Sequence, residues 1–249
     1  MVSARPPPPP GAGAAQLIPM RGAPWWSVSA LPVTTAAAVA EVVSGWRTAR
    51  TEALALLEAL GDPSGVPGAG FVDEAERITA AGEWKELLLL ERGRPVTENC
   101  ERAPKTCDLL QGLLVAGALA QFPGCQAKLS ALSWDARVVA HTGVSDARVR
   151  LHLPLAVPRT RRWRIRAGNP ASPGAVREWT PGVPLLLDDS FEHELWTTRV
   201  TAAPIAAGHG AGETAGGGGR WRVILLVDLW HPDLQPAERR RLTSQMSTA

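Results

Sequence analysis

The sequence predicts a mainly β protein of the sandwich or jelly-roll type, with helix packed against one face. Two observations carry this. From residue 84 onward, short apolar or alternating segments follow one another, separated by Gly, Pro and Asp turns rather than by helices. Ahead of them, residues 35–60 repeat apolar side chains at helical spacing, the pattern of an element that covers something else.

In chain order, residues 1–16 are Pro, Gly and Ala, predicting a disordered leader with polyproline II at "PPPPP"; the leader is bounded at residue 22. "APWWSVSALP" is an aromatic anchor that must dock. Val39, Val42, Val43, Trp46, Ala49, Ala53, Leu56, Leu57 and Leu60 then mark one long amphipathic helix. Thr34 or Thr35 is placed to cap it, and "GDPSG" ends it. The strands follow as "KELLLLERG", "AKLSALSW", "ARVVAHTG", "ARVRLHLPLAV", "RRWRIRAG", "GVPLLLDD", "HELWTTRV" and "RWRVILLVDLW". Residues 109–121 read equally as a short helix or a buried strand. Residues 201–219 are Gly- and Ala-rich and predict a flexible insertion in which His209 is inert. The domain proper is expected over 23–241, with 242–249 as a tail.

The bulk properties bound the function. With 249 residues, 45% of them apolar, one large domain can bury a substantial core. A net charge of +2 predicts neither a nucleic acid nor an anionic membrane as partner. No apolar run reaches the roughly 18 to 20 residues of a membrane span, and the N-terminus lacks the apolar centre of a signal peptide. Cys100 and Cys107, in "CERAPKTC", lie close enough to close a small loop. Their spacing does not suit a common zinc knuckle, leaving a local disulfide and two reduced thiols both open.

The chemistry-bearing residues sit on strands. In "HTGVSDARVRLHL" alternation puts Arg148, Arg150 and His152 on one face and Val149, Leu151 and Leu153 on the other. Two guanidiniums and an imidazole facing inward need an anion, and a carboxylate suits the planar fork of arginine; on a solvated outer face they need nothing. In "RWRVILLVDLWHP" both faces are largely apolar, the mark of a central strand. Arg222 there needs a partner: Asp188, Asp228 or a ligand anion. His141 and His193 stand at strand ends and are candidate metal ligands. The common non-haem iron pattern has a carboxylate two residues after the first histidine, and here that position is Gly143. The acids around His193 (Asp188, Asp189 and Glu192) are placed either to orient its imidazole or to cap a turn.

Taken together, "APWWS", "APKTC", "HTG" with "ARVRLHL", "LLDDSFEHELW" and "RVILLVDLWHPDL" resemble the aspartyl/asparaginyl β-hydroxylase catalytic domain, a family of iron(II)- and 2-oxoglutarate-dependent oxygenases. The resemblance runs over most of 23–241. It implies a double-stranded β-helix, cupin-like, with the N-terminal helices on one side. It implies iron held by His141 and His193 alone, with Gly143 a departure that the family shares. Arg150 and His152 match residues at the C1 end of 2-oxoglutarate, Ser130 and Arg222 those at its C5 carboxylate, and Arg148 a substrate-facing arginine. "CERAPKTC" matches a disulfide-bearing loop. The implied reaction uses O2 and couples decarboxylation of 2-oxoglutarate to β-hydroxylation of Asp or Asn in a protein, with EGF-like domains as the expected target and the endoplasmic reticulum lumen, or else the cytoplasm, as the place. Two rivals keep the fold and change the role: an inactive jelly-roll binding module, and the same chemistry on a free small molecule. The stretches 109–121 and 201–219 and the absence of a Pro-Gly turn before "HTG" depart from the family pattern.

Overall fold

A computed structural model describes residues 20–60, 70–200 and 220–245. Residues 1–19 of the leader, the "GDPSG" loop, and the 201–219 insertion with its His209 lie outside the described residues; the last residues of the expected disordered leader are instead held, Arg21 bonding to Asp233. The strands are β1 (Trp25–Trp26), β2 (Val72–Asp73), β3 (Thr79–Ala81), β4 (Trp84–Glu91), β5 (Arg94–Pro95), β6 (Gln126–Ser133), β7 (Arg137–His141), β8 (Arg148–Ala156), β9 (Arg161–Ala167), β10 (Val176–Glu178), β11 (Leu185–Leu187), β12 (His193–Arg199) and β13 (Trp221–Trp230). They form two antiparallel sheets. The larger runs β1-β11-β8-β13-β6-β4-β2, with β5 on β4; the smaller runs β10-β9-β12-β7-β3. Facing one another, they make a jelly roll.

The α-helices are α1 (Val33–Ser44), α2 (Trp46–Leu60), α3 (Thr97–Arg102), α4 (Pro104–Val115) and α5 (Pro236–Gln245). α1, α2 and α4 cover the outer face of the large sheet. Val39, Val42, Ala53, Leu110 and Leu113 share one apolar core with Val149, Leu151, Leu153, Leu225 and Val227. The opposite faces of the same strands make the second core, where Leu132, Ile224 and Leu226 meet Trp163, Ile165 and Leu195 of the small sheet. The alternation along β8 and β13 is thus the physical origin of both layers: odd positions hold the helices, even positions face the space between the sheets.

Several expectations need revision. The single long helix is two, broken at Gly45, where an added Cβ would collide with Leu109 of α4. Gly45 lets the Leu109 side chain of α4 pack against the corner. Pro32, not a threonine, precedes α1, and Thr35 is buried within it. The ambiguous 109–121 stretch is both things in turn: it completes α4, then Leu119 bridges to Leu229 of β13. The aromatic anchor docks as an edge strand, Trp25 opposite Leu187 and Trp26 opposite Leu186. α5 continues to Gln245, past the boundary expected at 241. Cys100 and Cys107 are disulfide-bonded and tie α3 to α4.

Candidate active site

The site lies between the sheets. His141 ends β7, His193 opens β12, and they are direct cross-strand partners with ring centroids 4.1 Å apart. Each imidazole is oriented by a carbonyl two residues back in the chain: Nδ1 of His141 donates to Val139 O at 2.8 Å, and Nδ1 of His193 to Phe191 O at 2.9 Å. Since a carbonyl only accepts, both rings keep their proton on Nδ1 and leave the Nε2 lone pair for a ligand. Burial, and then the neighbouring His141, push His193 down to about 4, so it is neutral and able to coordinate at physiological pH. The acids flanking His193 therefore do not hold its Nδ1. Asp189 pairs with Arg148 and Arg150, Glu192 pairs with Arg166, and Asp188 accepts from Ser190.

The cavity beside the histidines is lined by Ser130, Arg150, His152, Arg222, Lys128 and Glu76, among others. Arg150 faces Asp228 directly across the β8–β13 ladder, its Nε donating to Asp228 Oδ1 at 2.8 Å. Arg148 donates to Asp189 at 2.8 Å, to Asp228 at 3.0 Å and to the carbonyl of Gly124. Only 3% of Arg148 is exposed. The Arg148 guanidinium is committed inside a four-charge cluster, and of the two β8 arginines it is Arg150 that lines the cavity. A Cβ built on Gly143 would fall on the Asp189 carboxylate, whose main-chain oxygen also accepts from Gly143 N. The space that a side chain at position 143 would take is thus filled by an acid already bound to arginines. Among the described residues, no cluster of three His, Cys, Asp or Glu forms a metal site.

Arg222 is the contrasting case. It is 2% exposed, and its Nε and Nη1 have no hydrogen-bond partner among the described residues. Neither of the expected carboxylates takes it. It lies instead over the faces of Trp179, at 4.7 Å, and Trp163, at 5.9 Å. Burial alone lowers it to about 9. His152 stacks on the same Trp179, its Nδ1 is also buried without a partner, and burial followed by repulsion from Arg222 keeps it well below the ordinary histidine range. Ser130 is on the adjoining strand β6, where its hydroxyl accepts from Trp84 Nε1 at 3.0 Å, leaving its own proton to donate.

These orphaned donors test the expected ligands. A pair of imidazoles, each held through Nδ1 by a carbonyl, suits a divalent metal ion. A buried cation with no counter-ion among the described residues, in one cavity with a hydroxyl free to donate, suits a carboxylate. Lys128 was legible from β6 alternation with Ser130. Glu76 was not, since it comes from the loop between β2 and β3 and has no periodic signal.

Fold and site together define a jelly-roll protein with a pair of histidines and a buried arginine in one cavity. The chain belongs to the aspartyl/asparaginyl beta-hydroxylase family, whose model matches residues 44–202, a span that includes both histidines. It is 31% identical over 229 residues to the aspartyl/asparaginyl beta-hydroxylase of Homo sapiens, covering 90% of this chain and 24% of that protein. It is 33% identical over 164 residues to aspartate beta-hydroxylase domain-containing protein 2 of Homo sapiens, covering 66% of this chain and 38% of the other. A looser likeness links it to the crystal structure of a 2OG-Fe(II) oxygenase family oxidoreductase from Burkholderia pseudomallei, at TM-score 0.41 and 14% identity over 74% of this chain and 91% of that one. The chain spans about a quarter of the length of the first relative.

Proposed function

We propose that this chain is an iron(II)- and 2-oxoglutarate-dependent dioxygenase that hydroxylates the β-carbon of Asp or Asn residues in a protein substrate, with EGF-like domains the expected target by family resemblance. The observation that carries the reading is the pairing of two carbonyl-oriented imidazoles with one buried arginine that has no counter-ion among the described residues, all in a single cavity. His141 and His193 would hold the metal through Nε2. Arg222 and the Ser130 hydroxyl would take the C5 carboxylate, and Arg150 with His152 would meet the C1 end. Bound iron, with O2, supplies the coupling of 2-oxoglutarate decarboxylation to oxygen insertion. The chain itself binds, orients and excludes water: Trp163 and Trp179 keep Arg222 dry, so its bond to a carboxylate is strong. The disulfide fits an oxidising compartment such as the endoplasmic reticulum lumen. Among the described residues no helix is long and apolar enough to cross a membrane.

The test is 2-oxoglutarate binding with Mn(II) in place of iron, so that nothing turns over. Metal-dependent binding in the wild type, lost in His141→Ala and weakened in Arg222→Ala, is the expected result. A folded wild type that binds no 2-oxoglutarate overturns the reading.

A further inference from the structure

Between β10 and β11 the chain reads "WTPGV". Pro181 and Gly182 take the two central positions of a tight turn, in which Val183 N donates to Thr180 O at 3.0 Å. Gly182 has a φ of 76°, and the Pro-Gly order is that of a type II turn. The turn is held from two sides. Gly182 N donates to Pro154 O of β8 at 2.9 Å, and a Cβ on Gly182 would strike the indole of Trp46, the first residue of α2, at 2.7 Å. This firm mount carries Trp179, buried at its foot. We infer that Trp179 is a positioning residue for cosubstrate binding: its indole face holds the Arg222 guanidinium in place for the distal carboxylate of 2-oxoglutarate. This rests on the function proposed above and deepens it.

Trp179 is not one of the residues that line the cavity, so it acts only through those that do. Arg222 lies over its ring at 4.7 Å, nearer than over Trp163 at 5.9 Å, and His152 stacks on it with the rings inclined at 21°. One side chain thus backs two of the cavity's lining groups. An indole face attracts a cation more strongly than a phenyl face does, yet it does not neutralise the charge as a carboxylate would. It can therefore fix Arg222 while leaving Nε and Nη1 without a hydrogen-bond partner among the described residues, available to an anion. Packing alone does not explain an indole here. The Trp179 Nε1–H is itself buried with no partner among the described residues, a cost that a phenylalanine in the same place would avoid. What the indole adds over a phenyl ring is the stronger face.

The experiment is a double-mutant cycle read by 2-oxoglutarate binding to the Mn(II)-loaded protein. Trp179→Leu should weaken binding about tenfold and Trp179→Phe about threefold, the range of a desolvated cation on an aromatic face. In an Arg222→Leu background both losses should shrink to about twofold or less, because the indole then has no guanidinium to hold. A tryptophan that merely packs would weaken the two backgrounds alike. Circular-dichroism melts establish that each variant folds. Trp179→Phe fills most of the same space and decides the matter should Trp179→Leu not fold. Losses of equal size in both backgrounds, or no loss with Trp179→Phe, would overturn the inference. Its failure is separable from that of the proposed function: a wild type that binds 2-oxoglutarate with Mn(II), beside Trp179 variants that bind it as tightly, loses only the positioning role, whereas a folded wild type that binds none loses both.

Discussion

Two groups of buried arginine lie a few residues apart along the same two strands and solve the same problem in opposite ways. Arg148 and Arg150, on β8, share Asp189 and Asp228, so four charges cancel inside the protein. Arg222, at the start of β13, has only indole faces among the described residues. The cost of desolvation is met internally in the first group and left for a ligand in the second. The difference separates scaffold from site. A neutralised cluster fixes geometry whether or not anything is bound, whereas an unneutralised charge stores affinity for an anion.

The sharpest way to break this comparison is Asp228→Asn. Both arginines and the Gln126 amide depend on that carboxylate. Removing its charge leaves two buried guanidiniums sharing Asp189 alone, and stability should fall by about 3–5 kcal/mol, the usual result of breaking a buried pair from one side. A shift of the urea midpoint at constant slope measures it.

Arg222→Leu should do the reverse. With no pair to break, replacing a buried unpaired cation by an apolar side chain should leave the ligand-free protein as stable or up to about 4 kcal/mol more stable. The same substitution should weaken 2-oxoglutarate by about 1.5–3 kcal/mol, ten- to a hundredfold, the range for a charge-assisted bond. Loss of stability in this variant would show that Arg222 has a structural partner after all. Between these lies Gly143→Ala. Its Cβ would push on the Asp189 carboxylate and strain the cluster without removing a charge, so a loss of about 1–3 kcal/mol is expected by thermal melt.

The same contrast shows how far the sequence was legible. Period-two alternation placed Arg148, Arg150 and His152 on one face, and an arginine opening a buried strand announced an unmet need; both readings depend only on the pleat, which local sequence dictates. Which carboxylate meets which arginine was not legible. Asp228 reaches Arg150 through the register of β8 against β13, and Asp189 reaches Arg148 from the turn after β11, so both contacts are set by strands distant in the chain. For that reason the interior cluster that holds Arg148 was not legible, and helical spacing ran straight through the break at Gly45. The acids of "DDSFEHE" posed the same difficulty. Their sign and position were plain, yet the partners that claim them, Arg148, Arg150 and Arg166, come from β8 and β9.

The finest test concerns protons. Burial lowers Arg222 to about 9 in the ligand-free protein, and a bound carboxylate, favouring the charged form, raises it again. Binding of 2-oxoglutarate therefore takes up a proton once the pH exceeds 9, and is proton-neutral at Arg222 below that. The sign follows: affinity should be flat in this respect through neutral pH and fall by up to about tenfold per unit above pH 9. His152 does not contribute there, since it is already neutral across the whole window. In Arg222→Leu the alkaline slope should vanish while the weaker binding persists. Calorimetry of 2-oxoglutarate and Mn(II) in two buffers of different ionisation enthalpy, repeated from pH 7 to 10, reads the proton uptake directly. A wild-type slope that survives in Arg222→Leu would assign the titration to another group and remove the argument that Arg222 waits uncompensated for its ligand.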